Sequence, residues 1–274
     1  MPKASTGPKQ IIGVTMMLAF VGFTMLPIIW ALILSFRPTT HLFEPIWESP
    51  TFLTLDNFNT LARSDFPIAL FNSLVTAGSS TVLAMIIGVP AGFALAKGRS
   101  HRKFIASWAL LLLRMAPPVG FVIPLFLIYL NIGLLDTWAG LIAAYMVLTL
   151  PLVVWSSWTS LAQIPDELIE ASLLDGATLF QTLIKVVLPA ARPGIVATAV
   201  LAFLIAWNDF FFALIITRSS TVTAPVSVMN FVSYASVDWG SIALASVVLT
   251  LPTVPVIIFA NKYIVQSMGG AVKG

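Results

Sequence analysis

Apolar runs long enough to cross a bilayer recur along this chain, each bounded by charges, prolines or glycines. A hydrocarbon core of roughly 30 Å takes about 20 helical residues. Runs of that length cover about residues 11–36, 67–96, 104–130, 138–160, 195–217 and 241–263. With 58% hydrophobic and 9% charged residues and a mean hydropathy of +0.98, the chain is far from the roughly one-quarter charged content of soluble domains. It reads as an all-α integral membrane protein, one transmembrane domain over residues 1–274 with six transmembrane helices. The first run exceeds a signal-peptide core of roughly 7 to 15 residues and has no obvious small-residue cleavage site, so it is expected to stay as a span.

Charge orients these spans. Of the 14 Lys and Arg, ten fall on one side of the resulting topology: Lys3, Lys9, Lys97, Arg99, Arg102, Lys103, Lys185, Arg192, Lys262 and Lys273. Arg37, Arg63 and Arg218 fall on the other side, and Arg114 lies within the third run. The positive-inside rule then puts both termini and residues 164–194 in the cytoplasm. The basic cluster at 97–103 sits between two spans, which argues for a cytoplasmic loop rather than a nucleic-acid site.

Residues 164–194 stand out because acids and helix signals replace apolar monotony. Pro165 suits a helix start, and Asp166 and Glu167 put negative charge at the positive end of the helix dipole. The periodic part runs to about Leu174, and Gly176 stops it. Thr178 and Gln181 have capping-box spacing. Leu179, Phe180, Leu183, Ile184 and Val187 then give a second helix an apolar face, which Pro189 and Pro193 end. Two short helices joined at Asp175-Gly176 are expected. From these residues alone, an ordinary amphipathic interfacial hairpin is the alternative.

Glu170-Ala171-Ser172, then Asp175-Gly176-Ala177, then Leu188-Pro189 resembles the EAA coupling loop of ABC-importer permeases, with Ser172 where that family usually has alanine. Trp207-Asn208-Asp209-Phe210 resembles the W-N-[DE]-F sequence of its maltose-type carbohydrate-uptake branch. Weaker similarity includes Ala116-Pro117-Pro118 and Ile132-Gly133-Leu134-Leu135-Asp136-Thr137. The resemblance implies a type I importer with the MetI-like permease fold in a bacterial cytoplasmic membrane, moving a sugar, a disaccharide such as trehalose, by alternating access. It implies a second permease subunit, two cytoplasmic ATPase subunits that hold ATP and Mg, and an extracytoplasmic sugar-binding protein. It assigns ATPase coupling to Glu170, Ala171, Ser172, Asp175 and Gly176. Helical i, i+3, i+4 spacing puts Leu168, Ala171 and Ser172 on one narrow face, expected to dock on the ATPase.

Other chemistry finds little support in the sequence. There is no G-x-x-x-x-G-K-[ST] for ATP, no G-x-S-x-G and no H-E-x-x-H, and the chain has no cysteine. His41 and His101 read as loop histidines. An ion-coupled transporter or channel is the competing class, but it would need several acids within the spans. Asp209 alone is clearly placed so, roughly 21 Å from the inner end of its run at about 1.5 Å per residue. Asn208 and Asp209 are candidates for the substrate pathway, with hydrogen bonding to neighbouring helices as the equal alternative. Arg114 stays open between a translocation role and structural pairing. Gly88 and Gly92 have GxxxG spacing, which either permits close helix approach or is ordinary membrane-helix glycine.

Overall fold

A computed structural model describes residues 8–42, 44, 53–98, 105, 108–110, 112, 117–233 and 237–269. In chain order its principal helices are α1 (Pro8–Ser35), α2 (Asp56–Arg63), α3 (Phe66–Lys97), α4 (Pro118–Ile132) and α5 (Trp138–Leu161). They continue as α6 (Asp166–Leu174), α7 (Leu179–Ala190) and α8 (Arg192–Trp207), then α9 (Phe211–Ile216), α10 (Trp239–Thr250) and α11 (Thr253–Gly269). Among the described residues there is no strand, only an isolated bridge between Val232 and Val237. Arg114, Arg99, Arg102, Lys103 and His101 lie outside the described residues, as do Lys3 and Lys273.

The residues fall into two compact units, one of Met1–Phe66 with Val228–Thr250 and one of Pro67–Ser227 with Leu251–Gly274. In the first unit α1 packs on α10, and α10 on α2. The helix α1 is apolar all round and almost wholly exposed between Ile12 and Ile33. A helix of that kind calls for lipid or another apolar partner rather than water. Below it, the buried Asn57 of α2 donates to the Ser35 and Arg37 carbonyls at 2.9 Å each, so the chain leaving α1 has its backbone acceptors satisfied.

In the second unit α8 lies against α5 and α11. The Gly88 and Gly92 pair of α3 has a definite partner. A Cβ on Gly88 would come within 2.7 Å of Val153 Cγ1, and one on Gly92 within 2.8 Å of both Ser157 Cβ and the Trp158 nitrogen. Glycine at both positions is what lets α3 and α5 touch backbone to backbone. The buried cluster continues from this seam through Phe93, Leu161, Ile169, Leu183 and Val187. The pair α6 and α7 is thereby fastened to the end of the bundle.

Two runs expected as continuous spans are broken. The run at 195–217 ends as α8 at Trp207 and restarts as α9 at Phe211, and the run at 241–263 divides into α10 and α11 at Leu251-Pro252. At the first break the cause is Asp209, whose Oδ1 accepts the Phe212 and Ala213 N–H groups at 3.0 and 3.2 Å. A carboxylate that takes the leading N–H groups of a new helix competes with continuation of the old one. At the second, Pro252 and Pro255 supply no N–H. By contrast α5 runs through Pro151 to Leu161.

Candidate functional site: the α6–α7 hairpin

Backbone chemistry builds the hairpin. Pro165 is extended (φ −57°, ψ 138°) and α6 starts at Asp166, one residue later than Pro165 at the first helical position would give. At the other end the Gly176 N–H bonds the Leu173 carbonyl and the Ala177 N–H bonds the Ser172 carbonyl, at 3.0 and 3.1 Å. This is a Schellman closure, and it needs the left-handed conformation that Gly176 adopts at φ +86°. Two residues on, Thr178 Oγ1 accepts the Gln181 N–H and Gln181 Oε1 accepts the Thr178 N–H, a complete capping box. Within α7, residues Leu183–Val187 form a π turn directly ahead of Pro189. An 88° bend at Ala191 then leads into α8.

The hairpin has two faces. On the inner one, Ile169, Leu183 and Val187 join the buried cluster, and Ser172 Oγ sits 2.8 Å from Thr182 Oγ1. Ser172 is only 8% exposed. The expected docking face of Leu168, Ala171 and Ser172 is therefore divided: the hydroxyl seeks Thr182 and turns Ser172 inward, while Leu168 and Ala171 stay exposed. The outer face carries Glu170, Ala171, Asp175 and Gly176, all exposed. Its tip is apolar, with Leu174 89%, Leu179 62% and Phe180 69% exposed. Exposed apolar groups of this kind suit contact with protein or membrane.

Asn208 and Asp209 lie at the far end of α8, about 24 Å along a 16-residue helix. Asn208 is exposed and its Nδ2 donates to the Leu204 carbonyl, whereas Asp209 is half-buried. Their side-chain hydrogen bonds are local, to the turns on either side of the break.

One polar centre was not legible beforehand. Asp136, in the turn between α4 and α5, has φ +54° and accepts the backbone N–H groups of Arg218, Ser219, Ser220 and Thr221 at 2.9 to 3.1 Å. The Ser219 and Thr221 hydroxyls donate to it as well. Burial pushes its carboxyl up, but the four N–H groups outweigh that and hold it well below the usual carboxylate range. Nearby, Asn72 donates to the Ser220 and Val222 carbonyls and accepts from Trp138 Nε1, so the segment after α9 is fixed from two sides. Among the described residues no group of three or more His, Cys, Asp or Glu side chains is arranged to hold a metal ion.

Comparison with known proteins agrees with this architecture. Residues 84–269 match the model of the binding-protein-dependent transport system inner membrane component family. The trehalose transport system permease protein SugB of Mycobacterium tuberculosis is 38% identical over 93% of this chain and 94% of its own length. The trehalose/maltose transport system permease protein MalG of Thermococcus litoralis is 32% identical over 91% and 92%. Among solved structures, a chain of a bacterial ABC transporter involved in import of the acidic polysaccharide alginate superposes with a TM-score of 0.75. It covers 96% of this chain and 99% of its own at 19% identity, a likeness of fold.

Proposed function

Because the chain belongs to the binding-protein-dependent transport system inner membrane component family, we propose that it is a transmembrane permease subunit of an ATP-driven sugar importer. The observation that carries the mechanism is the α6–α7 hairpin, rigid in its backbone closure, anchored on one face and apolar at its exposed tip. Asp166, Glu167, Glu170 and Asp175 make it acidic, with Lys185 as the basic residue between them and Arg192. The cytoplasmic leaflet is itself negative, so this charge disfavours a hairpin lying on lipid and favours a protein partner with basic groups around an apolar groove.

In this reading six spans cross the cytoplasmic membrane with both termini inside, α8 and α9 together forming the fifth and α10 and α11 the sixth. The hairpin docks on one of two cytoplasmic ATPase subunits, which hold ATP and Mg. A second permease completes the pathway, and a sugar-binding protein delivers a disaccharide of the trehalose type from outside. Closure of the ATPases moves the hairpin and, through its 88° junction, α8. Asn208 and Asp209, at the end of that helix, are the residues proposed to line the pathway. This chain performs no bond chemistry. An ion-coupled carrier is disfavoured because Asp209 is the one acid within the described spans and its oxygen is engaged with backbone. Purification from the native membrane tests the proposal: an ATPase should copurify, and reconstituted vesicles should take up labelled trehalose only with ATP inside. Uptake driven by an ion gradient without ATP would overturn it.

A further inference from the structure

We propose that Lys97 is a positioning residue that ties the hairpin to α3, so that movement of the hairpin is passed to that helix as well as to α8. Lys97 closes the 32-residue α3, and its Nζ donates to the Ile164 carbonyl at 2.6 Å and to Asp166 Oδ1 at 2.7 Å. Both charges sit where helix dipoles favour them, the cation in the last turn of α3 and the carboxylate in the first turn of α6. The Ile164 carbonyl precedes Pro165, so the ammonium also satisfies an acceptor at the chain's entry into the hairpin.

A groove of about 420 Å³ separates the end of α3 from the hairpin, lined by Phe93, Lys97, Gly98, Ile169, Phe180 and Leu183 among others. Phe93, Ile169 and Leu183 join the buried cluster beside it, and Lys97 adds a directed contact at its edge. Lys97 lines the groove and bonds the hairpin's entry. Its side chain is only 18% exposed, against 64% for Asp166, so the lysine end is held in place. The methylenes lie in the groove while the charged head reaches the carboxylate, an arrangement a shorter side chain would not reproduce.

This inference rests on the hairpin being the ATPase contact, and the experiment separates the two. Lys97→Met keeps the apolar stem and removes the donor, and Lys97→Arg keeps the charge. Each is reconstituted with its copurified ATPase, and sugar uptake is measured per ATP hydrolysed, so that differences in abundance cancel. Lys97→Met should retain the ATPase and its basal hydrolysis while uptake per ATP falls roughly fivefold or more, the lower end of couplings between distant sites. Lys97→Arg should recover most of it. Unchanged uptake per ATP in Lys97→Met overturns the proposal, as does parallel loss of ATPase and uptake, the pattern of mere structural damage. Failure of the unsubstituted chain to retain any ATPase would instead overturn the reading of the hairpin.

Discussion

Replacing Asp136 with asparagine should destabilise the chain by about 2 kcal/mol, and the reason is geometric. Oδ1 receives the Arg218 and Thr221 N–H groups and Oδ2 those of Ser219 and Ser220. Asparagine tolerates the left-handed backbone at φ +54°. It retains one carbonyl oxygen but turns an NH₂ toward donors. A hydrogen bond to a charged group contributes about 1.5–3 kcal/mol when buried. Asp136 is half-buried, so water can replace part of what is lost, and four bonds discount to the total above rather than to their sum. Asp136→Gly relieves the backbone and still loses the carboxylate, so it should be as harmful, which separates the anchoring role from strain. The pH dependence has a definite sign. The folded carboxyl lies below its ordinary value, so its contribution is fully present above about pH 4 and is lost as pH falls through the folded value. Thermal unfolding in detergent, with and without the substitution, checks this. The difference should be constant from pH 5 to 8 and shrink in stronger acid. A difference under about 0.5 kcal/mol at neutral pH, the range of ordinary surface substitutions, would mean that Asp136 does not anchor the segment after α9.

Gly92→Leu should disrupt the α3–α5 seam, since even a Cβ meets the Trp158 nitrogen at 2.8 Å; reduced membrane abundance, or a loss of about 1–3 kcal/mol in detergent unfolding, checks it. Gly176→Val should leave the subunit inserted and abolish ATP-dependent sugar uptake, because a β-branched residue opposes φ +86° and opens the Schellman closure. Asp209→Leu should impair uptake without releasing the ATPase, and Asp209→Asn, which still accepts from Phe212 and Ala213, should retain more uptake than the leucine variant.

What could be read from the chain beforehand was local. The Gly176 turn and the Thr178–Gln181 box were legible because every atom involved lies within a few residues, where capping preferences act. The inward turn of Ser172 depends on Thr182 ten residues later, hence on how the hairpin closes. Gly88 and Gly92 signalled that something approaches, while the identity of Val153 and Ser157 as the neighbours required the tertiary fold. The break at Asn208 to Phe210 was hidden in a run whose mean hydropathy outvotes one carboxylate. Asp136 stood within a stretch similar to the family, but its anchoring role was hidden for a related reason: its donors follow more than eighty residues later.

The tip of the α6–α7 hairpin is expected to contact a protein on the cytoplasmic side. The chain contains no cysteine, so Phe180→Cys introduces a single thiol at the exposed tip. In inside-out vesicles a thiol-directed photocrosslinker at this position should yield one adduct with the ATPase, diminished when the ATPase is stripped away, and an impermeant maleimide should then label the freed thiol. Crosslinking to lipid alone, or labelling only from the extracytoplasmic face, would rule out a cytoplasmic protein contact at the tip.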